Sequence, residues 1–271
     1  MHPSFQRHID ACNNAILPGG RRPLWVGGVA VGWVAPHIAE ALHAADAVRF
    51  DDPADLPRAA RVLAERGLYR FRGEAFDVRA EPGGTVLTTI DRGALPAFGI
   101  MAEGVHLNGL VRRANGLHLW VARRAADKAL DPGKLDHLTA GGVSAGMSPW
   151  QTLIKEAAEE ATIPAELARQ ARPTGRIAYA MARAEGLRRD VLHCYDIDLP
   201  ESFVPRPADG EVDGFELWPI QRVFDTVRHT DDFKFNVNLV LIDLFVRLGM
   251  PTNQPTGGAD AIGMSRPSPP G

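Results

Sequence analysis

Several features that mark specialised proteins are scarce in this sequence. Its 271 residues hold two cysteines, Cys12 and Cys194, far apart and without metal-ligand spacing. Neither a disulfide framework nor a zinc site follows from such a pair, and a reducing compartment, the cytoplasm, is the expected location. No run of about 18 apolar residues is present, and the polar start from Met1 to Ala15 lacks the pattern of an export signal. Excess charge of one sign is missing too. Lys and Arg number 30 against 33 Asp and Glu, a formal net charge of -3, which leaves no electrostatic footprint for a nucleic-acid polymer. Internal repeats and an HExxH pattern are lacking, and neither Gly83-Gly84 nor Gly141-Gly142 is followed by a Walker lysine. These absences point to a small-molecule ligand and exclude polymer and membrane partners, while a homodimer stays open.

What is present is an ordinary globular composition, 45% apolar and 23% charged, in a chain long enough for two cores. Residues 1–99 read as a small α+β unit. Its helices are expected at Pro3 to Ala15, His37 to Ala45 and Pro53 to Arg66. Its strands are expected at Leu24 to Val34, Glu74 to Ala80 and Thr85 to Ile90, the last two parted by Pro82-Gly83-Gly84. Residues 100–250 form the second unit. It opens on a hairpin, Val105 to Arg113 and Leu117 to Arg124, joined by Asn115-Gly116. Further strands are expected at Gly175 to Ala182, Asp190 to Asp198 and Gly214 to Trp218, with an apolar helix from Phe233 to Leu248. Residues 251–271 are rich in Pro, Gly, Ser and Thr and are expected to form a flexible tail.

The informative segment is a helix expected over residues 149–161, with Ser148 as N-cap and Pro149 at its first position. Glu156, Glu159 and Glu160 stand at i, i+3 and i+4, which places three carboxylates on one side, with Trp150, Leu153, Ile154, Ala157 and Ala161 opposite. Three acids alone usually make a solvated face. Here Glu159 and Glu160 fall in the last turn, where each acid costs about 0.3 to 1 kcal/mol against the macrodipole, and Glu156 repels Glu160. A bound cation relieves both penalties. Carboxylate oxygens are hard ligands that suit Mg²⁺, which completes its shell with phosphate oxygens.

Gly141, Lys155-Glu156-Ala157, Glu159-Glu160 and Ile163 together resemble the Nudix box, whose spacing they keep throughout. Three positions depart from it: Met147 replaces the first Glu, Lys155 the Arg, and Thr162 the Gly. Asp131-Pro132-Gly133-Lys134, Ala140-Gly141-Gly142-Val143, Val31-Gly32-Trp33-Val34 and Gly104-Val105-His106-Leu107-Asn108-Gly109 are similar to a subgroup with an N-terminal extension, the thiamine-pyrophosphokinase-related Nudix proteins. The resemblance implies a Nudix α/β/α sandwich with a mixed sheet, preceded by a small α+β domain. It implies Mg²⁺-dependent hydrolysis (Mn²⁺ also serving) of a small-molecule diphosphate, thiamine diphosphate or its oxo or oxy analogues, releasing monophosphate. It also implies metal ligation by Glu156, Glu159, Glu160 and Gly141, with Glu156 and Glu159 as catalytic residues.

Glu211 and Glu216 are two candidates for an additional general base, weighed against exposed turn positions. Arg123, Arg124, Lys128 and Lys134 are candidates for phosphate binding, weighed against surface solvation. A nucleoside-diphosphate derivative is the second substrate reading. A non-catalytic diphosphate sensor is the third, prompted by the three departures from the box.

Overall fold

The computed structural model describes residues 1–127, 130–208 and 210–252; the expected tail from 253 onward and Lys128 lie outside the described residues. The chain begins with helix α1, Pro3–Cys12. The run expected as one strand is a hairpin, β1 Arg22–Val26 and β2 Val29–Val34. Gly27 and Gly28 sit between them at φ 56° and 79°, the left-handed backbone that a two-residue hairpin turn needs. Helix α2 spans Pro36–Ala41, strand β3 Val48–Phe50 and helix α3 Asp55–Glu65. Strand β3 lies parallel to β1 and completes a three-stranded sheet. At three residues it is too short to leave a readable period. Strands β4, Ala75–Val78, and β5, Thr88–Asp91, form a separate antiparallel ladder. Helix α4, Leu95–Phe98, closes the segment. Leu24, Val26, Ile38, Leu56, Phe76 and Phe98 are among the side chains of the core these elements share.

The remainder is built on a seven-stranded mixed sheet. Its strands are β6 Met101–Arg113, β7 Gly116–Arg124, β8 Leu135–Asp136, β9 Thr139–Gly142, β10 Arg172–Arg183, β11 Gly186–Asp198 and β12 Val212–Pro219. The main order is β10-β11-β6-β7-β12, with β9 pairing β6 and β8 pairing β7. Strand β11 runs parallel to β6, and the other pairings are antiparallel. Helix α5, Pro149–Ala161, and helix α6, Ala165–Ala168, cover one face; α7, Ile220–His229, and α8, Val237–Arg247, cover the other. Alternation along β6 divides the two cores. Val105, Leu107 and Val111 face α5, while Leu110 faces α8. The expected α/β/α sandwich is therefore present.

One boundary differs from expectation. Helix α1 buries Phe5, Ile9 and Cys12 in the core made with α7 and α8, and the Phe5 ring lies 5.1 Å from that of Phe224. Residues 1–99 are thus divided between two cores. The amphipathic pattern of α1 showed that it had a buried face, but the partner of that face is more than 200 residues away in the chain.

Candidate active site

Helix α5 forms where the sequence placed it because its start is doubly capped. The Ser148 hydroxyl accepts from the Gln151 amide at 3.2 Å and Gln151 Oε1 accepts from the Ser148 amide at 2.9 Å, so two orphan N–H groups are satisfied together. Leu153, Ala157 and Ala161 are fully buried against the sheet, which fixes the rotation of the helix and so the direction of each glutamate.

That rotation corrects the picture of one acidic face opposite one apolar face. Glu160 lies seven positions beyond Leu153, about 20° from the same line on the helix, and only 6% of it is exposed. Its carboxylate accepts the Ala140 amide at 2.9 Å, tying the end of α5 to β9. Trp150, expected to pack inward, is instead 37% exposed. The side chain of Glu159 is 51% exposed and pairs with Lys155 at 2.8 Å. Glu156 is intermediate, with 17% of its side chain exposed and Lys155 at 3.2 Å. The Lys155 ammonium is held strongly in its charged form, first by its bond to Glu159.

Gly141 meets Glu156 in a way that requires glycine. A Cβ at position 141 would come within 2.5 Å of the Glu156 side chain, so the missing side chain leaves the space that the glutamate fills. Burial pushes the Glu160 carboxyl well above the usual carboxylate range, and Asp136, Glu156 and Glu211 add to this against the opposing Ala140 amide. Burial also raises Glu156, with Glu159 and Glu211 adding to it and Lys155 opposing it. Four acids therefore act on one desolvated region. Glu156 and Glu160 come from α5, Asp136 from β8, and Glu211 from the turn before β12. Glu211 is anchored there by its carbonyl, which accepts from the Ala125 amide at 3.1 Å. Glu216 is exposed and accepts from the Trp218 indole at 2.9 Å.

Residues 105–237 match the family described as NUDIX domain. This segment is similar to NUDIX domains. Two Arabidopsis thaliana proteins named "Nudix hydrolase 20, chloroplastic" and "Nudix hydrolase 24, chloroplastic" are each 39% identical to the chain, over 201 and 205 residues. Both alignments cover 74% of this chain, and they take in 54% and 56% of the relatives. An uncharacterised Saccharomyces cerevisiae protein is 29% identical over 205 residues, covering 70% of this chain and 59% of the relative. The chain spans little more than half the length of the curated relatives it matches. Each aligned stretch is longer than the NUDIX segment itself and so includes residues outside it.

Within the matched segment the basic candidates are placed as follows. Arg124 donates to Asp136 at 2.7 Å and to the carbonyls of Leu130 and Asp131, so its guanidinium is committed to the protein. Lys134 donates to the Asp231 carbonyl at 2.7 Å, and Arg123 to the Gly133 carbonyl at 3.2 Å. Thr162, standing at the box glycine, has φ 53°, the left-handed C-cap conformation that glycine adopts without strain.

The sequence reading missed a buried polar cluster. Among the described residues, His106, Asp136 and His137 are the one group of three metal-ligating types whose ligand atoms lie within 4.8 Å of one another. The two imidazoles are hydrogen bonded, Nδ1 to Nδ1, at 2.9 Å. Asp136 already receives Arg124 at 2.7 Å and Lys234 at 3.5 Å, so its charge is compensated by protein cations. Burial raises Asp136, yet Lys234 and Arg124 outweigh it and hold the carboxyl well below the usual range. No local motif announces this cluster, since β6 and β8 reach it from separate parts of the chain.

Proposed function

We propose that this chain is a divalent-metal-dependent hydrolase of small-molecule diphosphates, with Glu156 and Glu160 as the principal metal ligands. The observation that carries the reading is the burial of Glu160 at the end of α5, one turn from the half-buried Glu156 in its Gly141 cradle. Desolvated carboxylates without a matching cation are costly. The donor set, all carboxylate oxygen beside a glycine cradle, fits a hard cation such as Mg²⁺ or Mn²⁺. When bound, such an ion neutralises diphosphate charge and lowers the pKa of a coordinated water.

The protein groups have separate tasks in this reading. Glu156 and Glu160 are held in place by Gly141 and the Ala140 amide, and the Gly141 backbone lies beside them as a further oxygen source. Glu211 is the better placed of the two proposed general bases, because it acts on both buried glutamates. Glu159 holds Lys155 over Glu156 and assists at the rim. The exposed Arg123 and the half-buried Lys134, on the β7 to β8 side, are the cations proposed to meet phosphate oxygens.

The substrate proposed is thiamine diphosphate or an oxo or oxy analogue, which rests on the subgroup resemblance. Residues 22–100 are proposed as the extension unit of that subgroup. The buried, unpaired Cys12 and Cys194 fit a reducing compartment such as the cytoplasm. Among the described residues no helix is long and apolar enough to cross a membrane.

The test is monophosphate release from thiamine diphosphate, its oxo analogue and a panel of nucleoside-diphosphate derivatives, each with Mg²⁺ or chelator. Release from the thiamine compounds, abolished by chelator, is the expected result. Preference for nucleotides would move the substrate class, and ligand binding without any release would overturn the hydrolase.

A further inference from the structure

The segment from Gly141, near the end of β9, to Met147, just before α5, carries three glycines and no acid, so no carboxylate of its own pins its amides. Yet its backbone is held at several points, and nearly all of the holding groups come from outside the NUDIX segment. The Ala145 amide donates to the Ala75 carbonyl at 2.8 Å. Ser144 Oγ donates to Glu74 Oε1 at 2.8 Å. The Gly146 amide donates to both Asp77 carboxylate oxygens at 3.2 and 3.3 Å. The tip of the Phe76 ring abuts Gly142, where a Cβ would come within 2.6 Å of Cζ. Four consecutive residues, Glu74 to Asp77, thus grip the segment.

We propose that β4 is a positioning element of the active site: Glu74 and Asp77 fix the conformation of the loop that carries Gly141 and leads into α5. This rests on the hydrolase reading above. The box position that ordinarily supplies an acid is Met147 here, and the loop's carboxylate partners arrive instead from the N-terminal unit. Gly141 sets the space for Glu156, so slack in the loop reaches the metal ligands directly. The same contact encloses a cavity of about 610 Å³ with Phe76, Arg79, Met101, Glu103, Met147 and Gln151 in its walls, so β4 holds one wall of that space in register with the other. Glu74 and Asp77 touch no reacting atom and are positioning residues.

The test compares wild type with Glu74→Gln, Asp77→Asn, Ser144→Ala and the Glu74→Gln/Ser144→Ala pair in the full chain. Two readouts are taken: amide hydrogen exchange over residues 142–147, and kcat, KM and the Mg²⁺ half-saturation on the best substrate of the panel. We expect Asp77→Asn to speed exchange at Gly146 at least tenfold and to lower kcat about tenfold, with a raised Mg²⁺ half-saturation and KM within threefold. The Glu74→Gln/Ser144→Ala pair should be no worse than either single variant. Unchanged loop exchange overturns the proposal, as does faster exchange with kcat within twofold of wild type. Should Asp77→Asn fail to fold, Ser144→Ala carries the same readouts from the loop side. A wild type that hydrolyses nothing sinks the hydrolase reading, while loop exchange still decides whether β4 orders the loop.

Discussion

The Glu160 carboxylate accepts the Ala140 amide at 2.9 Å, so the end of α5 is fastened to the strand that leads into the loop before it. This one bond supplies a partner to an otherwise buried acid. Replacing Glu160 with Gln keeps an acceptor for Ala140 and removes a desolvated charge. Turnover should fall by at least about 100-fold, while the thermal midpoint holds or rises. Glu159→Gln, at the exposed rim, should cost far less. Steady-state kinetics and thermal melts on the two variants check this, and equal losses would contradict the division between them.

Metal should read out as stability. An ion bound only by the folded state stabilises it by about 2.7 kcal/mol at a hundredfold excess over Kd. Titrating Mg²⁺ should raise the melting temperature of wild type, and the rise should be largely lost in Glu160→Gln. An equal shift in both proteins would place the ion elsewhere.

Gly141→Ala tests the cradle. The new Cβ would collide with Glu156 at 2.5 Å, and the side chain rather than the backbone will yield. The expected outcome is a folded protein with near-wild-type circular dichroism and activity reduced by more than about tenfold.

Thr162 occupies a left-handed position at φ 53°, which costs a β-branched residue about 1 kcal/mol. Thr162→Gly should stabilise the protein by about 0.5 to 1 kcal/mol, measured by denaturant unfolding, and leave catalysis unchanged.

Acid sensitivity should come from the buried histidines. Burial pulls His137 down to about 4, with Lys234 adding to it against Asp136 and Asp196, and burial, then His137, lowers His106 well below its usual value. The unfolded chain takes up these protons near pH 6.5 while the folded chain does not, so stability rises with pH across the window from about 4 to 6.5. The contribution is full above 6.5 and is lost as pH falls, at up to about 1.4 kcal/mol per pH unit for each histidine. Melting temperatures from pH 7 to 4.5 should fall less steeply in His106→Asn/His137→Asn than in wild type.

The sequence by itself determined the elements whose signals are local. Ser148, Pro149 and Gln151 start α5, Thr162 ends it, Asn115-Gly116 turns the β6–β7 hairpin, and the spacing of Gly141, Glu156 and Glu160 marks the box. Each signal lies within a few residues of what it controls, so periodicity and capping rules reach it. The tertiary structure alone decided that Glu160 points inward rather than along a solvated acidic face, because helix rotation is set by packing of Leu153, Ala157 and Ala161 on the sheet. It alone brought Asp136 and Glu211 within electrostatic reach of Glu160, placed α1 against α8, and laid β4 against the loop before α5. Those relationships join residues tens to hundreds of positions apart, and the burial that enforces them is non-directional, so no local pattern in the chain could record them.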